Sequence, residues 1–216
     1  MRYAIYYCPE ADSPLGRFGA DWLAGTELEG LDGTRRDELL ADARRYGWHA
    51  TLRAPLALTP GHDHADLCSA LVKVAREHAA FVLPLRLDRL AGFLALRPAG
   101  DTAAIDALAA ACLQATDNLR APLAAEALRK RADGLDAVEL AYLHNHGYPY
   151  VLDRYRFHMT LAAPAAAAEE QAMRAWLAPR AAALPAASID ALALCREPSP
   201  GADFELVERI ALAGRA

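Results

Sequence analysis

The sequence of 216 residues contains few cysteines, and their spacing does not suit a metal or disulfide site. There are four of them, and no two form a CxxC motif: Cys8, Cys68, Cys112 and Cys195. A disulfide framework or a zinc knuckle is therefore not expected, and a reducing compartment fits best. Long apolar runs are also absent, since no stretch of about eighteen apolar residues occurs. Because Met1 to Glu10 holds too short an apolar segment for a signal peptide, we expect a soluble, cytoplasmic protein.

An excess of positive charge is lacking as well. The net charge is −5 and the pI is about 5.8, which argues against nonspecific binding of nucleic acid. Neither a membrane nor a stable nucleic-acid partner is expected. Lysine occurs only at Lys73 and Lys130, so nearly all of the positive charge is arginine. Arginine suits bidentate contact with phosphate, although genome composition can produce the same bias.

The chain is 54% hydrophobic, which is enough for a sizeable core in one large domain or in two small lobes. Periodicity and turn residues predict these elements in the first half: a strand Tyr3 to Tyr7, a loop with several glycines, a helix Thr34 to Arg45, a helix capped by Asp63 and running to about His78, and a hairpin of Phe81 to Leu90 with Phe93 to Leu96. In the second half they predict helices Asp101 to Leu119, Leu123 to Arg131, Leu135 to Leu143 and Glu169 to Ala183, and strands Ser188 to Leu194 and Phe204 to Leu212. No low-complexity linker separates the halves, so residues 1 to 216 are expected to form a single bilobal domain.

One eight-residue pattern occurs twice. Residues 48 to 55 read Trp-His-Ala-Thr-Leu-Arg-Ala-Pro and residues 157 to 164 read Phe-His-Met-Thr-Leu-Ala-Ala-Pro. Both copies fit aromatic-His-x-Thr-Leu-x-Ala-Pro. With seven histidines in the chain, the bare His-x-[ST]-apolar pattern is expected about 0.2 times by chance, so a matched pair indicates function.

Each copy is predicted to be a strand, in which side chains alternate between faces. His49 and Thr51 then project from one face, and His158 and Thr160 project likewise from the second strand. If the two strands face each other, two imidazoles and two hydroxyls surround one small cavity. Arg53 and Arg156 lie at even offsets from the histidines, so the same alternation places them on the histidine faces as candidate phosphate clamps.

These residue types suit the cleavage of a phosphodiester. The attacking oxygen must lose a proton and the leaving oxygen must gain one, and two imidazoles can do both near neutral pH. The hydroxyls of Thr51 and Thr160 can donate hydrogen bonds to the nonbridging oxygens as negative charge develops. This chemistry needs no cofactor and no metal.

At these motifs the sequence resembles the two-histidine phosphoesterase superfamily, whose members carry two His-x-[Thr/Ser]-apolar motifs. Residues 46 to 52 and 156 to 161 are similar to an uncharacterised branch whose genes accompany phosphonate-breakdown operons. Trp48 and Arg53 stand where that branch is expected to have phenylalanine and lysine, and both differences preserve the character of the side chain.

The resemblance implies an α+β, bilobal fold with two pseudo-symmetric antiparallel-sheet lobes, outer helices and a central cleft. It implies a metal-independent cyclic phosphodiesterase with His49, Thr51, His158 and Thr160 as catalytic residues and a small phosphorylated sugar or nucleotide as substrate. We consider two substrate classes. One is a ribosyl 1,2-cyclic phosphate, which in phosphonate breakdown would also carry a 5-phosphate, and the other is a 2′,3′-cyclic nucleotide. The pseudo-symmetric motifs do not assign the acid and the base.

Two tyrosines are further candidates for contact with the substrate. Tyr46 lies at an odd offset from His49, but Gly47 can break the strand between them and leaves its orientation open. Tyr150, in the turn Gly-Tyr-Pro-Tyr, is a packing residue on the simpler interpretation.

Two rival hypotheses remain from the sequence. The segment 62 to 66 reads His-Asp-His-Ala-Asp, and His62, His64 and Asp66 resemble part of a hydrolase metal loop that lacks its final histidine. Asp63 and Asp66, as the cap and a first-turn acid of a helix, are a sufficient structural explanation of this segment. The second rival is a noncatalytic protein of the same fold that binds nucleotides or RNA ends.

Overall fold

Two antiparallel sheets, each flanked by helices, form the two lobes of the protein. The computed structural model describes residues 1 to 214. Its strands are β1 (Arg2–Tyr7), β2 (Ala50–Leu56), β3 (Phe81–Leu83), β4 (Leu85–Leu90), β5 (Phe93–Pro98), β6 (Met159–Ala162), β7 (Ala187–Ile189), β8 (Ala191–Glu197) and β9 (Glu205–Ala211). Its α-helices are α1 (Pro14–Ala24), α2 (Gly33–Tyr46), α3 (His64–Glu77), α4 (Ala103–Thr116), α5 (Ala125–Ala132), α6 (Ala137–His146) and α7 (Ala167–Ala182), and short 3-10 turns cover Asp117–Leu119 and Leu152–Arg154.

The sheet topology places both signature strands at sheet edges. One lobe has the strand order β2-β1-β8-β9 and the other has β4-β5-β6, while β3 and β7 form a separate pair. All of these pairings are antiparallel. The edge strands β2 and β6 contact each other where the two sheets meet. The predicted α+β bilobal architecture is thereby confirmed.

Most of the predicted elements are present with small shifts at their ends. Helix α3 begins after Asp63, whose carboxylate accepts hydrogen bonds from the first-turn amides, and Asp66 completes a capping box. The predicted strand from Phe81 to Leu90 is two strands, because Pro84 separates β3 from β4 and proline cannot donate to a ladder. Only β4 forms the hairpin with β5.

The glycine-rich loop predicted after β1 is wrong, since this segment forms α1. Ser13 caps the helix and Pro14 occupies its first turn, which are the usual residues at these positions. Gly19 lies inside the helix, where the Trp48 ring packs against it. A Cβ at this position would clash with that ring, so the close contact requires glycine. The indole of Trp48 also donates a 2.9 Å hydrogen bond to the Leu15 carbonyl, so α1 anchors the first signature.

One hydrophobic cluster takes side chains from both lobes, among them Ile5 of β1, Leu96 of β5 and Leu161 of β6. The buried indole of Trp22 donates a 2.8 Å hydrogen bond to the Leu161 carbonyl and thereby ties α1 to β6. All four cysteines are free thiols. Within residues 1 to 214 no helix combines the length and the apolar character that crossing a membrane requires.

Candidate active site

A cavity of about 600 Å³ lies between the lobes and is lined by both signatures. His49 and Thr51 reach it from the first lobe, and His158 and Thr160 reach it from the second. Each histidine directly precedes its strand, so that β2 begins at Ala50 and β6 at Met159. The structure therefore brings the four predicted side chains together around one space.

The two imidazoles have the same backbone partner in each copy. Nδ1 of His49 lies 2.9 Å from the Gly47 carbonyl oxygen, and Nδ1 of His158 lies 2.7 Å from the Arg156 carbonyl oxygen. A carbonyl only accepts, so Nδ1 carries the proton and donates in both rings. The Nε2 atoms of the neutral rings are left as acceptors, which is the form that takes a proton from a substrate or water. In the first copy, Nε2 lies 3.4 Å from the Thr51 hydroxyl oxygen.

Burial lowers the pKa of both histidines. The pKa of His49 falls from 6.5 to about 4, mainly because its ring is removed from water and further because His158 is near, while the Gly47 carbonyl opposes the shift. The pKa of His158 is also lowered by burial and, to a smaller degree, by Arg97, against the effect of the Arg156 carbonyl. In the unliganded protein at neutral pH the His49 ring is therefore neutral.

Aromatic rings enclose the two histidines unequally. The Tyr6 ring lies 4.0 Å from the His49 ring between centroids, and Tyr46 lies 5.9 Å from it. On the other lobe, Phe93 lies 5.6 Å from His158. Both predicted tyrosines, Tyr46 and Tyr150, line the cavity. Tyr6 is not among the residues that the sequence motifs predict for the site, although the alternation of β1 points to it once β1 is paired with β2.

Tyr155 holds the first signature from the second half of the chain. Its hydroxyl donates a 2.9 Å hydrogen bond to the backbone carbonyl of Thr51. Burial raises the pKa of the Tyr155 hydroxyl well above its ordinary value, so the group stays a donor. No local pattern around Tyr155 signals this contact, because its partner is 104 positions away.

The prediction that Arg53 lies on the histidine face is wrong, because a β-bulge interrupts the alternation. Tyr6 pairs with Thr51 and Ile5 pairs with Arg53, so Leu52 is an extra residue in β2. Arg53 consequently falls on the core face together with Ile5 and is 2% exposed. Its guanidinium donates to Asp117 Oδ1 and to the His146 carbonyl, both at 3.0 Å, and does not line the cavity with the histidines.

Arg156 does not line this cavity either. Its side chain is exposed and its contribution to the site is the carbonyl that accepts from His158. Two other arginines line the cavity, Arg2 of β1 and Arg131 of α5. Two carboxylates, Asp42 and Asp133, also lie in its wall.

The residues of the rival metal hypothesis do not converge. His62 Nδ1 lies 3.0 Å from a carboxylate oxygen of Asp66, as in an ordinary helix-start pair. His64 instead lies beside Cys68 and Glu208, and within residues 1 to 214 these three form the one group of side chains with the mutual spacing of metal ligands. None of these residues lines the cavity of the two signatures.

Two curated relatives align with nearly all of this chain. Both are named ribose 1,5-bisphosphate phosphokinase PhnN. The protein from Janthinobacterium sp. (strain Marseille) is 37% identical over 233 aligned residues, which cover 99% of this chain and 51% of that protein. The protein from Laribacter hongkongensis (strain HLHK9) is 39% identical over 217 aligned residues, which cover 95% of this chain and 50% of that protein. The chain thus spans about half the length of these relatives.

Two solved structures were found to be similar to this chain over nearly its whole length. TT0787 of Thermus thermophilus matches with a TM-score of 0.52 at 18% identity, over 100% of both chains. E. coli LigT, crystallised with NADP+, matches with a TM-score of 0.47 at 15% identity, over 98% of this chain and 96% of that one. The likeness to TT0787 extends over the whole of both chains and supports the predicted α+β, bilobal fold. The profile of a family described as "Protein of unknown function (DUF1045)" matches residues 51–205, and the chain belongs to this family.

Proposed function

We propose that the protein is a metal-independent cyclic phosphodiesterase that opens a small cyclic phosphate by acid/base catalysis. The observation that carries the proposal is the pair His49 and His158. Both rings line one cavity, and both are held by a carbonyl at Nδ1 with Nε2 left as the acceptor. Thr51 and Thr160 line the same cavity and supply hydroxyl donors for the nonbridging oxygens.

The surroundings of the rings favour His49 as the base and His158 as the acid. His49, with its pKa lowered to about 4, stays neutral more firmly and is poised to accept a proton. A bound phosphate anion favours the protonated form of a nearby imidazole, and His158, which among the described residues packs against the one ring of Phe93, takes up that proton.

The reaction then proceeds in line at phosphorus. A water oxygen forms a bond to phosphorus while Nε2 of His49 takes a proton from that water. The bond between phosphorus and one ring oxygen breaks, and the His158 imidazolium gives its proton to this leaving oxygen. The product is a phosphate monoester beside a free hydroxyl, and exchange with solvent restores the two imidazoles.

The relatives' printed name suggests the substrate class. Ribose 1,5-bisphosphate is what forms when 5-phosphoribosyl 1,2-cyclic phosphate loses its bond between phosphorus and the oxygen on C2. A chain that makes this product and a kinase that consumes it would catalyse consecutive steps. The kinase name applies to proteins about twice as long. The phosphate loop Gly-x-x-x-x-Gly-Lys-[Ser/Thr] requires a lysine directly after a glycine, and neither lysine of this chain is in that position. We therefore place the kinase activity in the half of the longer relatives that this chain does not match.

Turnover of a panel of cyclic phosphates, measured with a chelator present, tests the proposal. The panel contains 5-phosphoribosyl 1,2-cyclic phosphate, ribosyl 1,2-cyclic phosphate and 2′,3′-cyclic nucleotides. We expect His49→Ala and His158→Ala each to lower kcat by at least about 100-fold, the smaller end of what acid/base catalysis contributes. His144→Ala, which changes an exposed histidine of α6 outside the cavity, is the matched control and should keep the wild-type rate.

Three results would overturn the proposal. A near-normal rate in either active-site variant would exclude the two-histidine mechanism. Loss of activity on chelation would favour a metallohydrolase. Saturable binding of cyclic phosphates without any turnover would favour a noncatalytic binder. The pH profile gives a further check, because one neutral and one protonated imidazole require a bell-shaped dependence when chemistry limits the rate.

A further inference from the structure

A second cavity of about 300 Å³ adjoins the one that holds the histidines. The two share part of their walls, including Arg2, Arg131 and Tyr148. Four arginines and one histidine line the second cavity: Arg2, Arg53, Arg120, Arg131 and His146. No carboxylate of residues 1 to 214 lines it. Such a wall favours an anion.

The neighbouring carboxylates do not cancel this charge. Carboxylate oxygens of Asp117 lie 3.0 Å from a guanidinium nitrogen of Arg53, 3.4 Å from one of Arg120 and 2.9 Å from Nδ1 of His146. One negative charge is therefore shared between two guanidiniums and an imidazole. The buried carboxylate of Glu197 is likewise shared between Arg2 and a second arginine, Arg45. Asp42 and Asp133 line only the first cavity, so the described residues that both cavities share include Arg2 and Arg131 and no carboxylate.

Among the described residues, Arg131 is the arginine of this group that has no ion-pair partner. Arg53 and Arg120 are engaged by Asp117 and by backbone carbonyls at the C-terminal end of α6. Arg131 donates one hydrogen bond, 3.1 Å to the Gly147 carbonyl, and among the described residues no carboxylate lies within ion-pair distance of it. Arg131 lines both cavities.

A second sign of an anion site is the state of Arg53. This side chain is 2% exposed, lines the second cavity, and has a buried Nε without a hydrogen-bond partner. A buried guanidinium with an unmade hydrogen bond is costly, and burial lowers its pKa to about 10. A negative charge nearby offsets that cost.

We infer that the junction of the two cavities, with Arg131 as its main ligand and Arg2 beside it, binds a second phosphate group of the substrate. The inference rests on the proposed function: the cyclic phosphate lies between His49 and His158, and a phosphate monoester on the same sugar lies at Arg131. The substrate class is then a sugar cyclic phosphate with an additional phosphate, in preference to a 2′,3′-cyclic nucleoside phosphate that has none.

The test compares kcat/KM for 5-phosphoribosyl 1,2-cyclic phosphate and for ribosyl 1,2-cyclic phosphate. We expect Arg131→Gln to lower the ratio of the two values by about 10- to 100-fold, as for the loss of a hydrogen bond to a charged group. Arg131→Lys should keep a larger part of the preference than Arg131→Gln. Arg129→Gln, an exposed arginine on the same helix that lines neither cavity, should leave the ratio at the wild-type value.

A binding measurement separates this inference from the proposed function. Ribose 5-phosphate carries the second phosphate alone, and its titration into the His49→Ala protein by calorimetry needs no turnover. We expect binding that weakens about 10- to 100-fold when Arg131→Gln is added. Binding that depends on Arg131 without turnover of any cyclic phosphate would keep the subsite and reject the catalysis. An unchanged substrate ratio, or ribose 5-phosphate binding indifferent to Arg131, would overturn the subsite and leave Arg131 as a cap of α6.

Discussion

Acidification should destabilise the protein through His49, because its ring is neutral when folded and free to take up a proton when unfolded. The pKa of His49 is about 4 in the folded protein, against an ordinary value of 6.5. Between these pH values the unfolded chain binds a proton that the folded protein does not, so the free energy of unfolding falls as the pH falls. For this one group, the loss relative to neutral pH is about 2 kcal/mol at pH 5 and about 3 kcal/mol at pH 4.

Urea denaturation at a series of pH values from 8 to 4 measures this loss in the wild type and in His49→Gln. The variant should lose about 2 kcal/mol less than the wild type between pH 7 and pH 5. Its remaining loss includes His158, whose pKa burial also lowers. His144→Gln controls for the removal of an exposed histidine and should follow the wild type. Parallel curves for the wild type and His49→Gln would refute the reasoning, and with it the neutral resting state assigned to the base.

Three further substitutions test residues that surround the site. Arg53→Met should lower the free energy of unfolding by about 2 to 4 kcal/mol, because Asp117 loses a buried partner. Arg156→Gln should leave kcat/KM within about two-fold of the wild-type value. If Arg53→Met instead lowered kcat/KM and left the free energy of unfolding unchanged, Arg53 would be the phosphate clamp after all. Tyr155→Phe should cost about 1 kcal/mol by the loss of the hydrogen bond to the Thr51 carbonyl, and should lower kcat more than it raises KM; an unchanged kcat would show that this bond does not position Thr51.

The sequence predicted the elements well where one segment contains its own signals. Asp63 caps α3 as predicted, and the turn at 91 and 92 joins β4 to β5. It failed where glycine had a packing role. Gly16 and Gly19 suggested a loop, but both lie in α1 beneath neighbours that leave no room for a Cβ. Ser13 followed by Pro14 was the signal that outweighed the glycines.

The site was predictable as far as alternation along one strand extends. His49 with Thr51 and His158 with Thr160 reach one cavity as the motifs indicated. Tyr155 and Arg131 were not found, because their place depends on which distant segments pack together. No sequence spacing encodes that relation, and only the pairing of sheets and helices reveals it.

The wrong prediction for Arg53 has a structural cause, which is the leucine of the repeated octad. In the first copy Leu52 is the extra residue between two pairings of β1 with β2, and in the second copy Leu161 is the extra residue between two pairings of β5 with β6. The same bulge therefore follows the same threonine twice. A β-bulge reverses the face on which the residues beyond it project. Arg53 therefore points into the core. The threonine is the last side chain of the octad that alternates in register with the histidine.

The two copies are alike in their bulge, their threonine and their carbonyl at Nδ1, so the octad itself provides no difference between the histidines. The difference comes from β1 and β5. Strand β1 places the Tyr6 ring 4.0 Å from His49, whereas β5 places Phe93 at 5.6 Å from His158. Tighter enclosure removes more water from His49, and water is what stabilises an imidazolium in the absence of an anion. The proposed assignment of His49 as the base and His158 as the acid therefore rests on the strand paired with each copy. The repeated motif alone locates the two histidines but does not distinguish them.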